Sequence, residues 1–113
     1  MVNKPKGTVL IVEDSEEIKL QMNTMLRGKG HDVLFASNAE EAVRVAEDQR
    51  PGMILTDLDL PSLGLLVEML RVHEDLKNMP LAVIDIDGPE TKEKGLKVLA
   101  NFSQLDELLQ TIQ

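Results

Sequence analysis

Cysteine is absent from the 113 residues. That excludes disulfides and thiolate metal sites, and makes a reducing, cytoplasmic setting the default expectation. Trp and Tyr are also absent and Phe occurs twice, so the core has to be built from aliphatic side chains. No apolar run approaches the roughly 20 residues of a membrane-spanning helix, and no signal peptide is visible. Positive charge is scarce: 12 Lys and Arg stand against 20 Asp and Glu, for a net charge of −8. This argues against direct contact with nucleic acid or with an anionic membrane. It suits a chain that handles cations or meets a basic partner surface. The composition is otherwise that of an ordinary globular domain, 42% hydrophobic and 28% charged. No repeat, low-complexity tract or linker divides it. Residues 1–113 therefore read as a single domain, with 1–7 a flexible polar leader and no output domain.

Short apolar runs alternate with amphipathic stretches along the chain. Residues 8–13 form a short, continuous apolar run rich in β-branched residues, the mark of a strand buried on both faces. Asp14 or Ser15 then caps a helix over 16–27, with Ile18, Met22, Met25 and Leu26 as its inward stripe and Gly28 and Gly30 ending it. Residues 31–36 read as a second strand. Ser37-Asn38-Ala39-Glu40 reads as a capping box with Ser37 as the cap. The helix after it runs to about 49, with Ala39, Ala42, Val43 and Ala46 facing in. Strands are expected at 53–58, 80–85 and 97–100. Helices are expected at 63–73 and after a cap at Ser103, and a short one at 90–94. This alternation predicts a three-layer α/β domain with a parallel sheet and right-handed crossovers.

In such sheets ligands bind beyond the carboxyl ends of the strands. Glu13, Asp14, Asp57 and Asp85 all fall at predicted strand carboxyl ends. Glu13-Asp14 has a plain reading as a helix-capping pair, and Asp57 one as a turn residue before Pro61. Together they make a cluster that repels itself unless it holds a cation or keeps a proton. A hard cation such as Mg²⁺ takes carboxylate oxygens, a backbone carbonyl (that of Asp59 is the candidate) and waters. Asp57, ending the apolar run Met53-Ile54-Leu55-Thr56, is the preferred nucleophile.

Here the chain resembles the receiver domain of two-component response regulators, over nearly its whole length. Val9-Leu10-Ile11-Val12-Glu13-Asp14 is similar to that family's first strand and acidic pair. Met53 through Pro61 is similar to its phosphoacceptor strand, and 103–112 to its last helix. The resemblance implies a flavodoxin-like fold with strand order 2-1-3-4-5. It implies that Asp57 accepts a phosphoryl group from a histidine kinase or phosphotransfer protein, with Mg²⁺ held by Glu13, Asp14, Asp57 and the Asp59 carbonyl. It also implies signalling to a downstream protein, pairing through the last helix, and no small-molecule turnover.

The chain departs from that family in four places. The switch position, usually Thr or Ser, is Asp85. Leu99-Ala100-Asn101-Phe102 stands where the family carries a Lys. The turn after Asp57 is shortened to Ser62-Leu63-Gly64, and the fourth helix is shortened as well. These departures motivate a second reading, a pseudo-receiver that binds partners without phosphorylation; Lys94 or Lys97 is the candidate to replace the missing cation. A remote third reading is a small metal-dependent phosphatase, because Asp85-Ile86-Asp87-Gly88 imitates the Asp-x-Asp-Gly nucleophile motif. Pro89 stands where such enzymes need Thr. His31 and His73 read as solvated surface residues.

Overall fold

A computed structural model describes residues 7–57, 63–84 and 97–99. The elements are β1 (Thr8–Val12), α1 (Glu16–Gly28), β2 (Asp32–Ala36), α2 (Ala39–Gln49), β3 (Met53–Asp57), α3 (Leu63–Val72), β4 (Leu81–Ile84) and β5 (Lys97–Leu99). They form a five-stranded sheet of order β2-β1-β3-β4-β5 in which every pairing is parallel. This is the predicted architecture. The expected short helix at 90–94 and the last helix after Ser103 lie outside the described residues, as do residues 1–6 of the expected leader and Asp59 and Asp85.

β1 and β3 lie inside the sheet, and their side chains explain why. Val9, Leu10, Ile11, Val12, Met53, Ile54 and Leu55 are all fully buried. Period-two alternation sends successive residues to opposite faces. Leu10, Val12 and Ile54 pack with Ala42, Val43 and Ala46 of α2 and Leu66, Val67 and Leu70 of α3. Val9, Ile11, Met53 and Leu55 pack with Met22 and Leu26 of α1. Each buried aliphatic side chain contributes on the order of 1.5–3 kcal/mol, which forces a strand apolar on both sides to take helices on both sides. Among the described residues the buried hydrophobic side chains are all Val, Leu, Ile, Met or Ala, in keeping with the scarcity of aromatics, while Phe35 is partly exposed on the edge strand β2.

The helix ends show how the chain is steered. Ser15 is the N-cap of α1, its Oγ accepting from the Ile18 amide at 3.4 Å. Beyond α1, Gly30 adopts φ 94°, a conformation costly for other residues, and the chain reverses into β2. The capping box of α2 sits one residue later than the sequence suggested. Asn38 is the cap, its Oδ1 accepting from the Glu41 amide at 2.9 Å, and Glu41 Oε1 accepts from the Ser37 amide at 2.7 Å. The reciprocal pattern is the expected one, but Asn38 wins the cap and Ser37 contributes its backbone.

The histidine expectation fails at His31, which is buried with Nδ1 3.1 Å from the Gly7 carbonyl oxygen. It joins the start of β1 to the start of β2. His73 is partly exposed, as expected, but lies 3.6 Å from Glu47 Oε1 on α2.

The shifted cap makes a direct prediction. Asn38→Ala should lower stability by about 1 kcal/mol, roughly 4–8 °C in Tm, while Ser37→Ala should leave it nearly unchanged. Thermal unfolding followed by circular dichroism checks this; equal losses for the two variants would restore Ser37 as the cap.

Candidate functional site

The sheet register builds the site. Val12 pairs with Ala36 on one side and Thr56 on the other, and Asp57 pairs with Ile84. Glu13 and Asp57 therefore follow the last aligned β1–β3 pair, side by side at the carboxyl rim. By strand alternation both belong to the α1 face, with Val9, Ile11, Met53 and Leu55. The Glu13 amide donates to the Ala36 carbonyl at 3.0 Å, carrying β1–β2 pairing one step further.

Burial separates the three carboxylates. Glu13 is 3% exposed, Asp57 is intermediate, and Asp14 is exposed. Glu13 Oε1 accepts from the backbone amides of both Asp14 and Ser15, each at 3.0 Å. It thus satisfies amides just ahead of α1 while Ser15 caps the helix itself. Glu13 Oε2 is buried and has no hydrogen-bond partner among the described residues. Burial pushes the Glu13 carboxyl above its ordinary value of 4.5; the neighbouring Asp14 and Asp57 carboxylates push the same way, against the lowering effect of the Ser15 amide.

The rim is not a finished cage. Among the described residues, no group of three or more His, Asp or Glu side chains is arranged to hold a metal ion. Glu13, Asp14 and Asp57 share the rim, and Glu13 feels both neighbours, but one of its oxygens is committed to backbone amides. The chemistry nevertheless suits a hard divalent cation. The donors are all oxygen, one is buried and orphaned, and Mg²⁺ normally keeps several waters and takes one or two carboxylates. Asp59 and Asp85 lie outside the described residues, so their expected parts in the site rest on sequence.

Thr56 was not singled out from the sequence. It is fully buried, and its hydroxyl donates to the Val12 carbonyl at 2.8 Å. The available signal was a single polar residue inside an otherwise aliphatic strand. Other apolar side chains are exposed as well, Leu20 beside Phe35 and Leu65 and Val72 on α3.

Comparison with known proteins agrees with this geometry. A family model described as the response regulator receiver domain matches residues 9–101. The chain is 40% identical over 94 residues to the alkaline phosphatase synthesis transcriptional regulatory protein PhoP of Bacillus subtilis, covering 82% of this chain and 39% of PhoP. It is 30% identical over 95 residues to the polar-differentiation response regulator DivK of Brucella anthropi, covering 82% of this chain and 76% of DivK. It thus spans well under half of PhoP and most of DivK. Among solved structures, the receiver domain of sensor histidine kinase PA1611 from Pseudomonas aeruginosa has magnesium coordinated in its active site cleft. It matches with a TM-score of 0.78 and 27% identity, over 92% of this chain and 94% of that one.

The raised Glu13 carboxyl has a pH consequence. The folded chain holds that proton to higher pH than the unfolded chain, so the stabilisation is full below the ordinary value and is lost as pH rises through the folded value. Glu13→Gln removes that loss. Without metal at pH 7 it should be more stable than wild type, and the gap should narrow as pH falls towards 4.5. Denaturant unfolding at both pH values measures this; a gap independent of pH would contradict it.

Proposed function

The chain belongs to the response regulator receiver family, and from that membership we propose that Asp57 is the residue on which it takes a phosphoryl group. The observation that supports this most directly is the meeting of Asp57, the last residue of β3, with the buried Glu13 at the end of β1, whose carboxyl the Asp57 charge helps to push up. A nucleophile belongs at the carboxyl rim of a parallel sheet, where the incoming group has open approach. An Asp57 carboxylate oxygen attacks phosphorus, the P–N bond of a partner's phosphohistidine breaks, and the imidazole leaves with the electron pair and takes up a proton. The partner is a sensor histidine kinase or phosphotransfer protein. The added charge of about −2 is then read by a downstream protein through surface contacts, and the chain turns over no small substrate.

Glu13, Asp14, Asp57 and the Asp59 backbone carbonyl are the groups proposed to hold Mg²⁺, with the orphaned Glu13 Oε2 as the feature that favours a cation there. When bound, that ion neutralises charge on the phosphoryl oxygens. A homodimer through the last helix and a cytoplasmic location complete the reading. Among the described residues, no helix is long and apolar enough to cross a membrane.

A second reading has its own support. The residue that follows β4 in the chain is Asp85, and β5 is followed by Ala100-Asn101, so the sequence supplies neither the hydroxyl nor the Lys expected around a phosphoryl group. On this reading the domain is a phosphorylation-independent interaction module.

One experiment separates the two. Beryllium fluoride or acetyl phosphate with millimolar Mg²⁺ should shift the amide resonances of Glu13, Asp14 and Asp57, and Asp57→Asn should abolish the response while remaining folded. An unresponsive wild-type spectrum would leave the interaction module standing and remove Asp57 as phosphoacceptor.

A further inference from the structure

We infer that Thr56 is a positioning residue for the acidic rim, holding the end of β1 against the end of β3 so that Glu13 and Asp57 keep a fixed separation. This rests on the reading of the rim as a cation and phosphoryl site. The juxtaposition is specific. Val12 and Thr56 are the last residues aligned between β1 and β3, and the next residues on the two strands are Glu13 and Asp57. The Thr56 hydroxyl bridges those strands at 2.8 Å, one step behind the carboxylates. Its 3.5 Å approach to the Asp57 carbonyl is too long to add much.

The hydroxyl has a job that packing does not explain. Thr56 is fully buried beside Leu55 in an aliphatic strand, where Val fills the same space with no polar group to satisfy. The register of β1 on β3 is already fixed by three further aligned pairs, Val9 with Met53, Leu10 with Ile54 and Ile11 with Leu55. What those pairs control least is the strand end, where two like charges push the strands apart. A side-chain bond to the Val12 carbonyl opposes that separation where it begins. By alternation Thr56 lies on the α2–α3 face, opposite to Glu13 and Asp57. It does not touch the incoming group and acts through the strand ends.

The test is an NMR titration of Mg²⁺ into wild type, Thr56→Val, Thr56→Ala and Thr56→Ser, each with its Tm. Val keeps the shape and loses the hydroxyl, Ala loses both, and Ser keeps the hydroxyl. Val and Ala should each weaken Mg²⁺ binding about tenfold, the scale of a lost supporting contact behind a metal ligand. They should also move the metal-free amide resonances of Glu13 and Asp14, and Ser should restore both. A wild type that binds no Mg²⁺ removes the site reading and the inference with it. A wild type that binds, with Val binding equally well, overturns the inference alone. Loss of folding in both Val and Ala overturns it too, by making the hydroxyl a general stability element.

Discussion

A carboxylate taken out of water needs partners for both oxygens, and Glu13 has them for one. Its Oε1 is held by the Asp14 and Ser15 amides, while Oε2 is buried and orphaned among the described residues. An unmet buried acceptor costs on the order of 1–3 kcal/mol. The domain tolerates it at the mouth of the sheet, beside another carboxylate. Packing alone would place an aliphatic residue here, since Val9 to Val12 are already fully buried on the same strand. A buried carboxyl with one oxygen unmet fits the proposed reading of the rim, in which that oxygen takes a proton or a cation.

The fold delivers that arrangement through parity. Two parallel strands in register carry their carboxyl ends to one rim, and period-two alternation puts Glu13 and Asp57 on the same side of the sheet. A slip of one residue between β1 and β3 would set the two carboxylates on opposite faces. The continuous burial of both strands is what makes such a slip expensive. Core and site are thus one construction. The aliphatic packing that stabilises the domain also fixes the position of the groups that destabilise it.

Much of this was readable in the chain because the signals were redundant. The β-branched runs, the Ala39-Ala42-Val43-Ala46 stripe and the glycines after α1 all pointed to one alternating α/β layout, and the sheet order follows the family resemblance. The misreadings have local causes. Ser37 and Asn38 are both good caps, and sequence cannot say which one takes extended backbone; the structure gives that to Asn38, with φ −154°. His31 looked solvated because its partner, the Gly7 carbonyl, is 24 residues away and belongs to another strand's start. Thr56 passed as an ordinary β-branched strand residue for the same reason, its acceptor lying 44 residues away. Rim membership was legible for Glu13, Asp14 and Asp57. The division of labour among them was not, because burial is set by the three-dimensional neighbours.

Electrostatics decides how the departures from the family pattern bear on this rim. At an effective dielectric near 20, two unit charges 4 Å apart interact by about 4 kcal/mol. A phosphoryl group adds about −2 charge to a rim that carries Glu13, Asp14 and Asp57, with Asp85 next in the chain after β4 and no Lys after β5. Repulsion of this order exceeds the worth of an ordinary hydrogen bond several times over. A hydroxyl at position 85 would therefore do little for phosphorylation unless positive charge came with it. The missing Lys is the heavier of the two losses, and on the proposed reading a divalent cation would offset it. On the proposed phosphoacceptor reading, a phosphorylated state would depend on metal occupancy more tightly than in a receiver that carries its own ammonium group. The same arithmetic makes the metal-free rim a place where the fold itself resists added negative charge.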